Sequence, residues 1–284
     1  MTMLLWMVWH SETAAGQDRP TAMPTPKPEE TVDRFVRECI DIRPGTDGFP
    51  NSFQIGQKSP SEFELPLKEA ALVHHFRICR FETTQELYQF VMGKNPSRWK
   101  GPRNSVENVS YGDVQEFCTR LTVILKQRGL IAPGQTVRLP TALEWEYCCR
   151  AGSGTRFCFG DAAGDNESTN LLDEYAWHTG NAAGNDPAVG VLKPNAWGLF
   201  DVHGYLWEFV QDPPTAPNAT SRTEAASDRE VGAKHEIRGG SWRDSAGLLT
   251  CATVREFPDQ QLSDAVGFRC VIADVPQVSS SGGK

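Results

Sequence analysis

The sequence predicts an α+β domain with few helices, short strands and long loops. Three observations carry that class. The 284 residues include 25 Gly and 19 Pro, which mark many turns. Eight Trp and eight Cys supply bulky anchors and candidate cross-links for a chain short of regular structure. Only three helices are marked by capping signals, while the other apolar runs are short and divided by Gly, Pro and Asn, which is too much loop for a doubly wound sheet.

The first helix follows Thr83-Thr84-Gln85-Glu86, a capping box in which the Thr hydroxyl takes an orphan amide and Glu86 reaches back. Leu87, Phe90 and Val91 then share a face, and Gly93 ends it. Ser110 with Asp113 opens a longer helix burying Val114, Phe117, Cys118, Leu121 and Ile124 or Leu125. Thr141 and Glu144 box the third directly after Pro140; Trp145, Cys148 and Cys149 follow, and Gly152 stops it. Strand-like runs lie at 53–56, 72–79, 189–192, 236–237 and 267–272, and residues 151–194 are irregular by pattern.

Residues 10–33, rich in Pro, Thr and charge, read as a disordered linker, as does the tail from Gln277. Met3–Trp9 is apolar without a basic leader, and Ala14-Ala15-Gly16 resembles the end of a cleavage region: either a remnant signal segment or a disordered start, and too short to span a bilayer. A start codon upstream of Met1 would explain such a remnant. No internal repeat or dividing linker splits the remainder.

Hydrophobic residues at 39% and charged residues at 23% describe a globular protein, so no integral membrane segment is expected. A net charge of −8 without a local basic patch excludes a nucleic-acid partner held through phosphates. The phosphate loop, the nucleophile elbow, the H-E-x-x-H pair and the EF-hand loop are all missing. The eight cysteines, Cys39, Cys79, Cys118, Cys148, Cys149, Cys158, Cys251 and Cys270, form no C-x-x-C and no Cys/His group of zinc spacing; sequence alone leaves their pairing open. His74 and His75 point to opposite faces of a strand and cannot share an ion, and His203, in a Gly-rich turn, reads as a hydrogen-bonding residue.

The densest segment is Lys193–Phe209, KPNAWGLFDVHGYLWEF. Asp201, Gly204, Leu206 and Glu208 alternate oxygen-bearing side chains with carbonyls, a pattern that suits Ca²⁺ but also a tight turn with solvated acids.

Arg138-Leu139-Pro140-Thr141 with Glu144-Trp145-Glu146-Tyr147, then GLFDVHGYLWEF, Arg238-Gly239-Gly240-Ser241-Trp242 and Gly267-Phe268-Arg269-Cys270, resemble in order and spacing the signature blocks of the formylglycine-generating enzyme, or sulfatase-modifying factor, family. Upstream, Phe53–Gly56, Glu82–Gln85, Gly93–Arg98 and Val106–Ser110 extend the resemblance. It implies a variant C-type-lectin-like fold: a leader over residues 1–40, one domain over 41–274 and a tail over 275–284. It also implies bridges Cys118–Cys270 and Cys149–Cys251, each closing a loop long enough to contribute about 4 to 5 kcal/mol through unfolded-chain entropy. It implies calcium at Asp201, Gly204, Leu206 and Glu208, although Tyr205 stands where the family has Asn, and a second calcium at Asn181, whose loop is shortened. The bridges favour an extracytoplasmic or secreted location, with a cytoplasmic one the alternative.

In the active enzymes two cysteines after the R-G-G-S block hold copper as thiolates and use O₂ to oxidise a substrate cysteine. Those positions fall on Asp244 and Leu249, neither of which replaces a thiolate. Copper-dependent formylglycine formation is therefore not expected. The expectation is a ligand- or protein-binding module whose cleft near Trp207, Ser241, Trp242 and Arg255 holds a peptide, protein or small molecule. The alternative is an oxidoreductase of the same superfamily, acting on a sulfatase cysteine or another substrate, with Asp244 or a His as metal ligand. A second convergent His or carboxylate beside Asp244 would separate the two.

Overall fold

The computed structural model describes residues 28–161, 168–184, 186–211 and 233–275. Met3–Trp9, the linker up to residue 27 and the tail from residue 276 lie outside the described residues. In chain order the elements are α1 (Pro28–Arg37), β1 (Cys39–Ile42), β2 (Ser52–Ile55), β3 (Lys68–Ala71), β4 (Phe76–Cys79), α2 (Gln85–Met92), α3 (Tyr111–Gln127), β5 (Gln135–Arg138), α4 (Ala142–Arg150), α5 (Ser168–Tyr175), β6 (Trp207–Phe209), β7 (Lys234–Arg238), β8 (Val254–Pro258), β9 (Val266–Gly267) and β10 (Val271–Asp274). No helix among the described residues is long and apolar enough to cross a membrane.

Two four-stranded sheets carry the fold, ordered β1-β4-β10-β5 and β8-β7-β6-β9, beside a β2-β3 hairpin. The first sheet is antiparallel throughout, and its alternating side chains feed two cores. Ile272 enters the core made with α1, α2 and α3, where Phe117 stacks on Tyr88 at 5.4 Å. Val271, Ala273, Phe76 and Ile78 enter the core under α4, with Trp145, Tyr147 and Leu199.

The ordered domain begins earlier than residue 41. Val32 (0% exposed) and Phe35 (3%) form a buried i, i+3 stripe on α1, inside a segment whose average composition reads as linker. Arg34 pairs with Glu86, and Arg128 reaches both Asp33 and the Glu29 carbonyl, which fixes α1 to the rest.

The capping expectations divide. Ser110–Asp113 and Thr141–Glu144 form reciprocal capping boxes. Thr84 makes no side-chain cap for α2. There the Gln85 and Glu86 amides donate to the Asn104 and Pro102 carbonyls, and Glu86 is drawn to Arg34 and Arg103 instead of back to the cap. Tyr88 replaces Phe90 on the buried face of α2. Residues 72–75 and 189–192 are not strands, while α5 occupies part of the stretch read as irregular.

Glu144 ties three segments together. Its carboxylate takes a bidentate pair from Arg138 at 2.6 and 2.7 Å, the Thr141 amide at 2.8 Å and the His74 ring at 2.6 Å. Burial opposes its ionisation, but Arg138 and His74 win and hold the carboxyl at about 2, from an ordinary 4.5. The stabilisation is present above pH 4.5 and is lost as pH falls towards 2. Glu144→Gln is expected to lose about 2 to 3 kcal/mol at pH 7. Denaturant titrations at pH 7 and pH 3 check this, since the deficit should shrink at the lower pH.

Candidate functional site

The segment between Asn195 and β6 is a chain of tight turns. Asp201 (φ 57°), Gly204 (φ 90°) and Tyr205 (φ 70°) all take positive φ. At residue 204 only glycine fits, because a Cβ would stand 2.2 Å from the Trp177 carbonyl. These turns carry Glu208 into the interior, where it meets Arg269 of the G-F-R-C block.

Arg269 is fully buried. Its guanidinium gives Glu208 two bonds of 2.7 and 2.6 Å and satisfies its remaining donors on the carbonyls of Phe200 at 2.9 Å, Arg80 at 3.2 Å and Cys79 at 3.4 Å. The Trp145 indole adds a 2.8 Å bond to Glu208 Oε2. Two further buried acids share the region. Burial, with the Glu208 charge adding, pushes Asp201 up to about 6 against the opposing Gly190 amide and Arg269. Burial followed by the charges of Glu208 and Asp201 pushes Glu82 well up, while its oxygens accept from Ser105 and from the Leu206 amide at 3.1 Å.

This arrangement does not fit a resident calcium. Both Glu208 oxygens are engaged by a guanidinium and an indole, so a cation there would displace or face Arg269. Asp201 Oδ2 accepts from the Gly190 amide at 2.8 Å. Asn181 closes its own turn, accepting from the His178 amide at 2.9 Å and donating to the Ala176 carbonyl at 2.8 Å. Asp201, Gly204, Leu206, Glu208 and Asn181 are thus parts of a scaffold held by hydrogen bonds.

Of the four expected cleft residues, three converge on Asp244. Its Oδ2 accepts from the Ser241 hydroxyl at 2.6 Å, the Ser241 amide at 3.0 Å and the Trp207 indole at 2.8 Å, and Arg255 stands 3.8 Å from Oδ1. Arg255 lies over the Trp207 ring at 5.4 Å. Leu249 is fully buried with Phe157, Leu172 and Ala176. Asp244 is thus a carboxylate in a nest of donors, and Leu249 a core aliphatic side chain.

Trp242 instead lines a cavity of about 210 Å³, together with Trp99, Glu107, Asp186, Tyr205 and Asp264. Arg98 and Arg243 stack on Trp99 and Trp242 at 4.8 and 4.6 Å and both pair with Asp264, which builds the rim. Burial pushes the Glu107 carboxyl up, with Asp264 and Asp186 adding and the Arg98 and Trp99 amides opposing. Glu107 is 4% exposed, and its Oε2 has no hydrogen-bond partner of good geometry. Asp186, itself raised by burial, binds Asn104 at 2.5 Å and stands 3.2 Å from the Tyr205 hydroxyl. Glu107 lies within the Val106–Ser110 block and Asp186 outside every block, and neither is singled out by its spacing, because only the fold buries them around one cavity.

The cysteines are free thiols in the structure. The fold nevertheless brings the expected partners together, with Cys118 and Cys270 sulfurs 3.9 Å apart and those of Cys149 and Cys251 3.5 Å apart. Cys39 lies directly across from Cys79 in the β1-β4 ladder. The sequence holds no Cys/His group of zinc spacing, but the fold places the ligand atoms of Cys149, His203 and Cys251 within 4.8 Å of one another. No spacing signal announces it, since the residues are 54 and 102 positions apart. His203 does serve as a hydrogen-bonding residue, and His74 and His75 pair separately with Glu144 and Asp41.

Two substitutions test the buried charge cluster. Glu208→Gln strands Arg269 and should lose about 3 to 5 kcal/mol, while the Glu208→Leu/Arg269→Met double variant should lose less, as read by denaturant unfolding. Asp201→Asn removes a charge the fold resists. Because the folded carboxyl sits above its ordinary value, the native state of the parent loses stability as pH rises through 3.8 to about 6. The variant should therefore be about 3 kcal/mol more stable than the parent at pH 8 and equal to it near pH 4.

Residues 28–274 match the sulfatase-modifying factor enzyme 1-like domain. The chaperone protein LppX of Paenibacillus barcinonensis is 26% identical over 267 residues, covering 78% of this chain and 86% of LppX. The formylglycine-generating enzyme of Bos taurus is 28% identical over 185 residues, covering 62% of this chain and 46% of that enzyme, so the match spans about half the curated enzyme. Among solved structures, Treponema denticola variable protein 1 superposes with a TM-score of 0.63 at 22% identity, covering 82% of this chain and 94% of that one, which shows a shared fold. The α+β architecture with little regular structure is thus the C-type-lectin-like fold of the formylglycine-generating enzyme superfamily, and the chain belongs to the sulfatase-modifying factor enzyme 1-like domain family.

Proposed function

We propose that this chain is a binding member of its family, without thiolate-copper oxidation, and that the cavity walled by Trp99 and Trp242 takes one side chain of a peptide or protein partner. The reading is supported by the state of the two positions where the family resemblance would set thiolates: Asp244 is a hydrogen-bonded carboxylate and Leu249 is buried. Among the described residues Asp244 belongs to no group of three or more His, Cys, Asp or Glu ligand atoms, which weighs against a substitute metal centre there. A cavity of about 210 Å³ is small for a drug-sized ligand but suits a side chain. Aromatic walls with a buried, unpartnered Glu107 oxygen favour a group that is flat or aliphatic along its length and ends in an N–H donor. The relative named as a chaperone supports a polypeptide partner.

The test is a titration of the purified protein with short peptides that differ only in one Lys, Arg, Leu or Asp, followed by tryptophan fluorescence. Basic peptides are expected to bind, and Trp242→Ala or Glu107→Gln to weaken them at least tenfold while leaving the unfolding midpoint within a few degrees. Equal response to the Asp peptide would refute the cavity's preference. Incubation with a sulfatase C-x-P-S-R peptide, copper and O₂ should leave its cysteine intact by mass spectrometry; conversion to the aldehyde would overturn the non-catalytic reading.

A further inference from the structure

We propose that Cys149, His203 and Cys251, with Cys158 as fourth ligand, form a buried structural site for a d¹⁰ cation, Zn²⁺ or Cu⁺, in the reduced protein. The three ligand atoms come from the end of α4, the turn before β6 and the segment before β8, and all three residues are buried. Their spacing already approaches a coordination shell. The two sulfurs are 3.5 Å apart and Cys149 Sγ is 4.0 Å from His203 Nε2. Zinc–sulfur bonds of about 2.3 Å and zinc–nitrogen bonds of about 2.0 Å set tetrahedral edges of about 3.8 and 3.5 Å, and these two separations lie within about half an ångström of them.

The histidine is preset for the role. His203 Nδ1 lies 2.7 Å from the Leu249 carbonyl, which only accepts, so Nδ1 carries the proton and Nε2 presents its lone pair to the sulfurs. The Cys158 amide donates to that nitrogen at 3.1 Å, which sets residue 158 beside the cluster, and its side chain supplies the fourth ligand by turning inward when the metal enters. Binding would exchange this amide bond for a metal bond and release the thiol protons to solvent. Arg150, held by Glu146 at 2.7 Å, stands beside the sulfurs and offsets the negative charge of a three-thiolate set. A Cys149–Cys251 bridge and the metal compete for the same sulfurs, so the site belongs to the reduced chain. The cluster is separate from Asp244 and from the cavity, and it stands whether or not the proposed binding function does.

The experiment strips metal from the full chain under anaerobic reducing conditions and titrates Co²⁺, Zn²⁺ and Cu⁺ against chelators of known affinity. One equivalent is expected, with a thiolate-to-cobalt charge-transfer band, tetrahedral visible absorption and proton release on zinc addition. His203→Asn and Cys158→Ser should weaken binding at least tenfold, and Cys148→Ser should not. Preferential retention of Zn²⁺ or of Cu⁺ names the occupant. The parent protein alone decides the matter if a variant fails to fold. No charge-transfer band, or a Cys149–Cys251 disulfide found by mass spectrometry in protein kept reduced throughout, would overturn the site.

Discussion

The buried guanidinium of Arg269 is the constraint around which the molecule is arranged. It joins the strand-like G-F-R-C block to β6 through Glu208, to the end of β4 through two carbonyls and to the turn before Asp201 through Phe200. A buried charge persists only when all its donors are answered, and removing one partner leaves the other exposed to the full desolvation penalty. Glu208 holds the ion pair with that charge, and burial, with the Glu208 charge adding, drives Glu82 and Asp201 upward against the opposing Arg269.

The same pairing explains why a segment with the ligand spacing of a calcium loop need not hold calcium. Glu208 looks available in sequence but spends both oxygens on Arg269 and Trp145. Around Asp244 the logic repeats. The Asp244 carboxylate is supplied with donors from Ser241 and Trp207, and Leu249 packs into a small core with Phe157.

What was legible in the chain was whatever could be satisfied locally. The boxes of α3 and α4 involve residues three apart and formed as read. The box of α2 failed because a distant loop, 102–104, offered its carbonyls first. The helix α1 was hidden because its two buried apolar residues are diluted by charge, and β1 and β5 because four-residue strands become strands only when β4 and β10 pair with them.

By itself the sequence determined the fold class, through turn content and ordered signature blocks, because these are questions of residue identity along the chain. The tertiary structure alone decided the state of every buried group. It gave Glu208 to an arginine rather than a cation, left Glu107 with an open oxygen, and gathered His203 with cysteines 54 and 48 positions away. The reason is physical: the free energy of a buried charge or thiol depends on which atoms lie within a few ångströms, and that proximity is set by chain closure across the two sheets rather than by local spacing.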